Sequence, residues 1–261
     1  MKLKIRLLYK LTQIVVLFCY GIIIAGIVFP LLNVLCSLNV AKKSRDVLKV
    51  HWLRRFSRIL NLSITQSGAL PEQGTLLVSN HISWLDIVVI GQFLPAYFVA
   101  KSDILSWPII GFLSRQAGTI FIRRGDKKQI KIISETIIWA LKQQGNVIAF
   151  PEGTTTQGDE VLGFHASLFQ PAVLAKANIQ PIAIEYLGET KQQAPFVGDD
   201  EFIPHLLRIL SLEKIEVEVS FLPLIKPVGK DRQRLSAEAR EMISDVISKP
   251  EVITAFQSVQ A

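Results

Sequence analysis

The sequence predicts an α/β fold, with a mainly parallel central sheet flanked by helices and an N-terminal membrane-embedded helical segment. Three observations predict it. The 261 residues suffice for one medium-sized domain and a short accessory segment. Apolar residues make up 49% and charged residues 20%, which excludes a disordered chain and a polytopic channel. After the first quarter, short apolar runs alternate with segments of helical periodicity.

The positive charge of the chain is concentrated at its N-terminus. Residues 1–60 contain eleven Lys or Arg and one acidic residue, Asp46, whereas the remaining residues are weakly acidic overall. Because this charge flanks an apolar segment, it favours an anionic lipid surface over nucleic acid as the partner. Both cysteines, Cys19 and Cys36, lie in that apolar segment, which excludes a disulfide scaffold. We expect residues 1–60 to form a membrane anchor and residues 61–261 the α/β domain.

The first predicted element is a membrane-embedded helical segment. Residues 11–41 contain no charged side chain, and a helix of that length would extend about 46 Å, beyond the ~30 Å of a hydrocarbon core. Pro30 is expected to break or kink it. Basic residues flank both ends, so the positive-inside rule chooses no orientation. The pattern allows a helical hairpin or re-entrant anchor with both ends in the cytoplasm, or a single tilted span. Its length argues against a cleaved signal peptide.

The second predicted element is a basic helix. In residues 43–60, apolar side chains recur at helical spacing between Lys and Arg. This pattern is typical of a helix that lies in the headgroup plane of a membrane. The alternative is a helix that packs on the protein core and exposes its basic face to solvent.

The rest of the chain alternates strands and helices, which implies a parallel sheet covered on both faces. The predicted strands are Thr75–Ser79, Gly118–Ile122, Asn146–Phe150, Ile179–Tyr186 and Ile215–Phe221; the alternation of the last one predicts an edge strand. One predicted helix starts near Trp84. The other predicted helices cover Lys127–Gln144, His165–Ala177, Leu206–Leu212 and Asp231–Ile247.

Three polar motifs follow the ends of predicted strands, where open α/β sheets bind ligands. They are NHISWLD (residues 80–86), RRG (residues 123–125) and PEGTTT (residues 151–156). In the first motif, Ser83 and Asp86 fit a capping box, but that interpretation leaves His81 without a role. If Asp86 instead accepts the Nδ1 proton of His81, the pair forms a general base. Because no Ser or Cys stands in a nucleophile elbow, the nucleophile is expected to be a substrate hydroxyl.

The other two motifs have the residue types of a substrate site. Arg123 and Arg124 resemble an anion clamp, with a solvated charge pair as the alternative. In PEGTTT, Pro151 and Gly153 shape a turn that leaves backbone N–H groups, Glu152 and Thr154 for a polyol or phosphate, unless the segment is only a turn. No third ligand is spaced to join His81 and Asp86, so no metal is expected.

These motifs resemble the glycerolipid acyltransferase superfamily, specifically its bacterial lysophosphatidate acyltransferase branch. NHISWLD matches the HxxxxD motif, FIRRG the second block, FPEGTTT the third and QPIAI (residues 180–184) the fourth, over roughly residues 62–225. The resemblance implies a catalytic pair of His81 and Asp86. It also implies that Arg124, with Arg123 adjacent, binds the substrate phosphate and that Glu152 and Gly153 bind substrate, whereas Thr154 is a candidate from the loop residues alone.

The resemblance further implies an activity and its setting. The expected reaction moves a fatty acyl group from acyl-CoA or acyl carrier protein to the sn-2 hydroxyl of 1-acyl-sn-glycerol-3-phosphate. The product would be phosphatidic acid, for phospholipid biosynthesis. No cofactor is implied, and the enzyme is expected at the bacterial inner membrane with its catalytic domain on the cytoplasmic face.

One departure from the family pattern bears on the acceptor. Members that act on lysophosphatidate often follow FPEGT with arginine, whereas this chain has Thr155, as in similar sequences that acylate lyso-ornithine lipid. Lyso-ornithine lipid or another lysolipid is therefore the alternative acceptor. A non-catalytic membrane lipid-binding protein is the alternative of another class, but it would not need His81, Asp86 and Glu152 together.

Overall fold

A computed structural model of the chain describes residues 2–123 and 127–248. Its helices are α1 Lys2–Ile23, α2 Phe29–Leu35, α3 Leu38–Leu60, α4 Leu85–Gly91, α5 Pro108–Ala117, α6 Lys127–Lys142, α7 Gln170–Ala175, α8 Glu189–Gln193, α9 Phe202–Ser211 and α10 Arg232–Ile247. Its strands are β1 Leu62–Ser67, β2 Leu76–Ser79, β3 Ala96–Lys101, β4 Ile120–Ile122, β5 Asn146–Ala149, β6 Ile179–Tyr186 and β7 Ile215–Phe221. Short 3₁₀ helices cover Ser102–Ser106 and Ala166–Phe169, and a π-helical stretch, Ile24–Val28, joins α1 to α2.

The seven strands form one sheet in the order β1-β7-β6-β2-β5-β3-β4. Every neighbouring pair is parallel except β6 and β7, so the predicted, mainly parallel sheet is confirmed. The prediction that Ile215–Phe221 is an edge strand is wrong, because β7 lies between β1 and β6. Its alternating pattern indicates that one face of the strand is partly solvated. A strand can have such a face even when it is paired with a neighbour on both edges.

Helices cover both faces of the sheet. In β2, Leu77 joins a core cluster with residues of α1, α3, α4 and α9, whereas Leu76 and Val78 join the cluster beneath α6, α7 and α10. Strand β5 is divided in the same way between Ile148 and Val147. Burial on both faces explains why these strands are continuous apolar runs in the sequence.

Some elements that precede β4 carry no clear signal in the sequence. Neither β1 nor β3 was predicted, nor was α5, which precedes β4. Helix α5 ends at Gly118, where φ is +87° and a Cβ would approach the ring of Tyr97 to 2.9 Å. Only glycine suits this turn, because it combines a left-handed backbone with close contact.

The N-terminal residues form a helical hairpin that packs on the sheet domain. One continuous apolar helix runs from Leu3 to Leu35 and is long enough to cross a membrane, by length and composition. The chain then turns at Cys36 and Ser37 and returns as α3, which packs against α1 and α2. The second arm of the hairpin is therefore the basic helix, and the apolar segment itself does not fold in two.

Of the two effects expected of Pro30, a break or a kink, the break does not occur, because the apolar helix continues past it. The π-helical stretch Ile24–Val28 immediately precedes it, and Pro30 is the second residue of α2, which directly continues this stretch. The wider π turn provides room for the proline ring, so the helix continues.

Helix α3 packs on the protein core, which agrees with the alternative interpretation of residues 43–60, and its position relative to a headgroup plane stays a prediction. Phe56 and Leu60 are buried, and the indole N–H of Trp52 donates to the carbonyl of Leu17 on α1 at 3.0 Å. Several basic side chains bind the protein as well: Arg45 and Arg54 donate to the carbonyls of Gln116 and Gln92.

Candidate active site

The candidate site lies where β2 and β5 end, side by side in the centre of the sheet. Val78 of β2 pairs with Ala149 of β5, so the two loops that follow these strands are neighbours. The first loop carries His81, and the second carries Glu152. The backbone N–H of Thr156 in the second loop donates to the carbonyl of His81 at 2.8 Å. Parallel pairing thus joins two motifs that lie about 70 residues apart in sequence.

His81 and Asp86 form a close pair at the start of α4. Nδ1 of His81 lies 2.7 Å from Oδ2 of Asp86, and the same oxygen accepts the backbone N–H groups of Ile82 (2.8 Å) and Ser83 (3.0 Å). This is the contact that the sequence analysis expected. The catalytic role of the pair stays a prediction.

The capping-box interpretation of the same segment is half correct. Asp86 does accept the N–H of Ser83, as a capping box requires, but the buried Ser83 hydroxyl has no hydrogen-bond partner among the described residues. One carboxylate therefore holds both the first turn of α4 and the imidazole of His81.

The contact with Asp86 selects a tautomer of His81. With the proton on Nδ1 directed at the carboxylate, Nε2 is the nitrogen that is left to accept a proton. The ring stacks on Phe150, with centroids 4.0 Å apart and planes 16° apart. The His81 side chain is 20% exposed, whereas that of Asp86 is fully buried, so the base reaches solvent and its partner does not.

Tyr186, the last residue of β6, supports Asp86 from the other side. Its hydroxyl donates to Oδ1 of Asp86 at 2.8 Å. Burial, followed by the charge of Asp86, raises the pKa of Tyr186 well above its ordinary value, so this hydroxyl stays protonated. The QPIAI resemblance ended two residues before Tyr186, and no motif distinguished it from a packing residue.

Glu152 binds main-chain groups with both of its carboxylate oxygens. Oε1 accepts the N–H of His81 at 2.7 Å, and Oε2 accepts the N–H of Leu162 at 2.9 Å. The side chain is buried, and this burial raises the pKa of Glu152, although the two N–H groups partly oppose it. Both oxygens are thus engaged within the protein, and the expected role of Glu152 in substrate binding stays a prediction.

Three of the remaining substrate-binding candidates lie around a cavity that His81 also lines. Gly153, Thr154 and Arg123 line this cavity, and Thr154 and Arg123 are exposed. Gly153 has a φ of +70°, which lets the loop turn immediately after Glu152. Arg124, the other half of the expected anion clamp, lies outside the described residues. The binding roles of all four residues stay predictions.

The cavity itself is large and mostly apolar. Its volume is about 1130 Å³, and the hairpin, α4 and α5 all contribute to its walls. The apolar lining includes Phe18, Trp52, Phe56, Trp84, Val88 and Phe150, the last of which stacks on His81. A cavity of this size and character suits a long hydrocarbon chain whose polar end meets His81.

Within residues 2–123 and 127–248, no three His, Cys, Asp or Glu side chains are grouped closely enough to hold a metal ion. The expectation that the reaction needs neither metal nor cofactor stays a prediction.

Comparison with known proteins gives a consistent result. The family model described as Acyltransferase matches residues 61–185. The chain is 38% identical over 194 residues to the lyso-ornithine lipid O-acyltransferase of Pseudomonas aeruginosa, covering 74% of this chain and 75% of that protein. It is 34% identical over 194 residues to the 1-acyl-sn-glycerol-3-phosphate acyltransferase of Neisseria gonorrhoeae, covering 72% and 76%.

A solved structure shares the fold. The crystal structure of the 1-acyl-sn-glycerophosphate acyltransferase of Thermotoga maritima aligns with a TM-score of 0.69 over 93% of this chain and 96% of that one. At 19% sequence identity, this similarity speaks for the fold alone.

Proposed function

The chain belongs to the acyltransferase family, and we propose that it transfers a fatty acyl group from a thioester to the free hydroxyl of a lysolipid. The observation that carries the proposal is the His81–Asp86 pair on the wall of a large apolar cavity. A base at the end of an apolar cavity suits a substrate with a hydrocarbon chain and a reacting hydroxyl at its polar end.

The proposed mechanism uses His81 as a general base. Nε2 takes the proton of the acceptor hydroxyl while the hydroxyl oxygen attacks the thioester carbonyl. The new C–O bond forms, the C–S bond breaks, and the departing thiolate takes the proton back from the imidazolium. Asp86 stabilises the positive charge of the intermediate imidazolium. General-base catalysis of this kind contributes on the order of 10²- to 10⁴-fold in rate.

The first test is a comparison of His81→Ala with the wild type. We expect the variant to lose about 10²- to 10⁴-fold in kcat while it still folds, with a Tm lowered only by the loss of one donor to the buried carboxylate of Asp86. His51→Ala is the matched control, because His51 is exposed on α3 and does not line the cavity. A His81→Ala protein with wild-type turnover would remove the mechanism and favour a non-catalytic lipid-binding protein.

For the acceptor, lyso-ornithine lipid is the first candidate. The observation that favours it is Thr155, whose hydroxyl donates to the carbonyl of Phe196. The position where lysophosphatidate enzymes often carry arginine is thus uncharged, and its hydroxyl is engaged with the protein. The 38% identity to a lyso-ornithine lipid O-acyltransferase supports the same acceptor.

The second candidate is 1-acyl-sn-glycerol-3-phosphate, which would give phosphatidic acid. The observation that favours it is Arg123, an exposed cation on the wall of the cavity, which suits a phosphate group. The 34% identity to a 1-acyl-sn-glycerol-3-phosphate acyltransferase supports it too.

A panel of acceptors decides between the two candidates. We expect kcat/KM for lyso-ornithine lipid to exceed that for lysophosphatidate by about tenfold or more, the factor that one lost charge-assisted contact to the phosphate would produce. The substitution Thr155→Arg should reduce the difference in kcat/KM between the two acceptors. A wild-type preference for lysophosphatidate would instead make phosphatidic acid the product. Acyl-CoA and acyl carrier protein donors, supplied in parallel, identify the thioester used.

The proposed setting follows from the substrates. Thioester donors are made in the cytosol and the acceptor resides in a membrane, so we propose that the domain acts on the cytoplasmic face of the inner membrane. The apolar hairpin would hold it there.

A further inference from the structure

The two oxygens of Asp86 have very different surroundings. Oδ2 accepts three donors, which are the imidazole of His81 and the N–H groups of Ile82 and Ser83. Oδ1 accepts the hydroxyl of Tyr186, at 2.8 Å. Because Asp86 is fully buried, no solvent is available to replace a donor that is removed.

Tyr186 is built into the sheet and cannot easily move away from Asp86. It ends β6, where it pairs with Val217 of β7, and its side chain is only 4% exposed. It approaches Asp86 from a strand that neighbours β2, the strand that leads into His81. The central sheet therefore delivers the hydroxyl to Oδ1 from a fixed direction.

We propose that Tyr186 is a positioning residue of the His81–Asp86 pair, whose hydroxyl orients the carboxylate and shares its negative charge, and so weakens the hold of Asp86 on a proton taken up by His81. This inference rests on the proposed function for its kinetic test. A carboxylate with an additional donor is a weaker base, and it holds the proton of a neighbouring imidazolium less strongly. Tyr186 acts through Asp86 and has no recorded contact with His81 itself.

The other ionisable groups around the pair are the same with and without this hydroxyl. Glu152, on the loop after β5, binds the N–H of His81. Arg123, after β4, and His165, before α7, line the same cavity. From α4 itself, Asp86 is the ionisable group that faces His81. A change that follows removal of the hydroxyl is thus assigned to the contact with Asp86.

The test is Tyr186→Phe, which removes the hydroxyl and keeps the buried ring. The three donors on Oδ2 keep that oxygen in contact with His81, while the carboxylate becomes more basic. We expect the acid limb of kcat/KM to move up by about 0.5 to 1 pH unit, so that the rate falls about three- to tenfold at pH 6 and recovers to within about twofold at pH 8.5. The KM for the acceptor should be unchanged.

The matched control is Tyr97→Phe. Tyr97 lies in β3, towards the opposite end of the sheet, and its ring is contacted by Lys49. This variant should retain the wild-type pH profile. An acid limb that is unchanged in Tyr186→Phe, or a loss of rate that is equal at all pH values, would overturn the proposal and leave Tyr186 with a packing role only.

A second measurement does not depend on turnover. NMR titration of ¹⁵N-labelled histidine in detergent micelles, with His81→Gln for assignment, follows the imidazole directly. We expect Tyr186→Phe to raise the pKa of His81 by about 0.5 to 1 pH unit in the wild-type background and to leave it unchanged when Asp86→Asn is also present. Equal shifts in both backgrounds, or no shift in either, would contradict the proposal. If the wild type acylates no lysolipid, the proposed function fails, and this titration still tests Tyr186.

Discussion

At the scale of single residues, the main chain of His81 is held as firmly as its side chain. Its N–H donates to Glu152, and its carbonyl accepts the N–H of Thr156. Glu152 also accepts the N–H of Leu162. The carbonyls of Val161 and Leu162 in turn accept hydrogen bonds from the guanidinium of Arg240 on α10. We interpret Glu152 as the residue that fixes the position of the His81 main chain in the loop. This role requires a side chain with two acceptor oxygens and no donor, which is a carboxylate.

Replacing Glu152 with Gln tests this interpretation. The single oxygen of the amide can accept one main-chain N–H. The NH₂ group then faces the other main-chain N–H, so that two donors point at each other. We expect kcat to fall about 10- to 100-fold, on the scale of one lost charge-assisted hydrogen bond. Glu160→Gln, at an exposed position of the same loop, is the control. A kcat for Glu152→Gln equal to that of Glu160→Gln would show that the carboxylate is dispensable.

The same variant has a predictable effect on pH-dependent stability. Burial raises the pKa of Glu152 above 4.5, so the folded protein binds more protons than the unfolded chain between that value and the raised one. The contribution of Glu152 to stability therefore falls as the pH rises through this window. Gln does not titrate. The Tm difference, Glu152→Gln minus wild type, is expected to increase between about pH 4 and pH 7. A constant difference would mean that Glu152 titrates equally in both states.

At the scale of secondary-structure elements, the hairpin is attached at its base and free at its tip. Near the base, the ammonium of Lys10 donates to the carbonyls of Leu212 (2.9 Å) and Leu60 (3.4 Å), where α9 and α3 end. Arg6 donates to the carbonyl of Ser211. The tip, residues 34–40, exposes Val34 (81%) and Leu38 (85%) instead. A hairpin with an apolar tip and positively charged residues at its attached end has the pattern of a segment that enters a lipid surface.

Charges placed at the hairpin tip test its contact with lipid. The double variant Val34→Lys, Leu38→Lys should remain folded, because both side chains are exposed. Its binding to phosphatidylglycerol vesicles should fall at least about tenfold, since burial of each apolar side chain contributes about 1.5–3 kcal/mol. Val228→Lys is the matched control, with 84% exposure in a loop before α10. If sedimentation with vesicles is the same for all three proteins, the tip does not enter the membrane.

At the scale of the whole molecule, the hairpin and the sheet domain share one core and one cavity. Ile14 and Leu17 of α1 belong to the same buried cluster as Leu77 of the central strand. The hairpin also supplies Phe18 and Trp52 to the wall of the cavity that His81 lines. The segment that would contact lipid is thus part of the enclosure around the candidate base, which suits a substrate that enters from the bilayer.

The local patterns of the chain were sufficient to predict much of this architecture. The bounds of β6 and β7 are as predicted, and α10 begins after Asp231, whose side chain accepts the N–H of Arg234 as a cap. Strands β1 and β3 were missed because each is only partly buried, so neither forms the continuous apolar run of a central strand. The pairing of His81 with Asp86 was predictable because the two residues are five positions apart, within one turn and the start of one helix.

The amino-acid sequence by itself determined the alternation of strands and helices, the family, and the placement of three polar motifs at strand ends, because each of these depends on residues close together in the chain. Only the tertiary structure decided which groups outside their own segments those motifs contact. Tyr186 reaches Asp86 across 100 residues, and Glu152 reaches His81 across 71, because parallel pairing of β6, β2 and β5 brings their ends together. The folding of the apolar helix against α3 was decided in the same way, by packing between distant side chains.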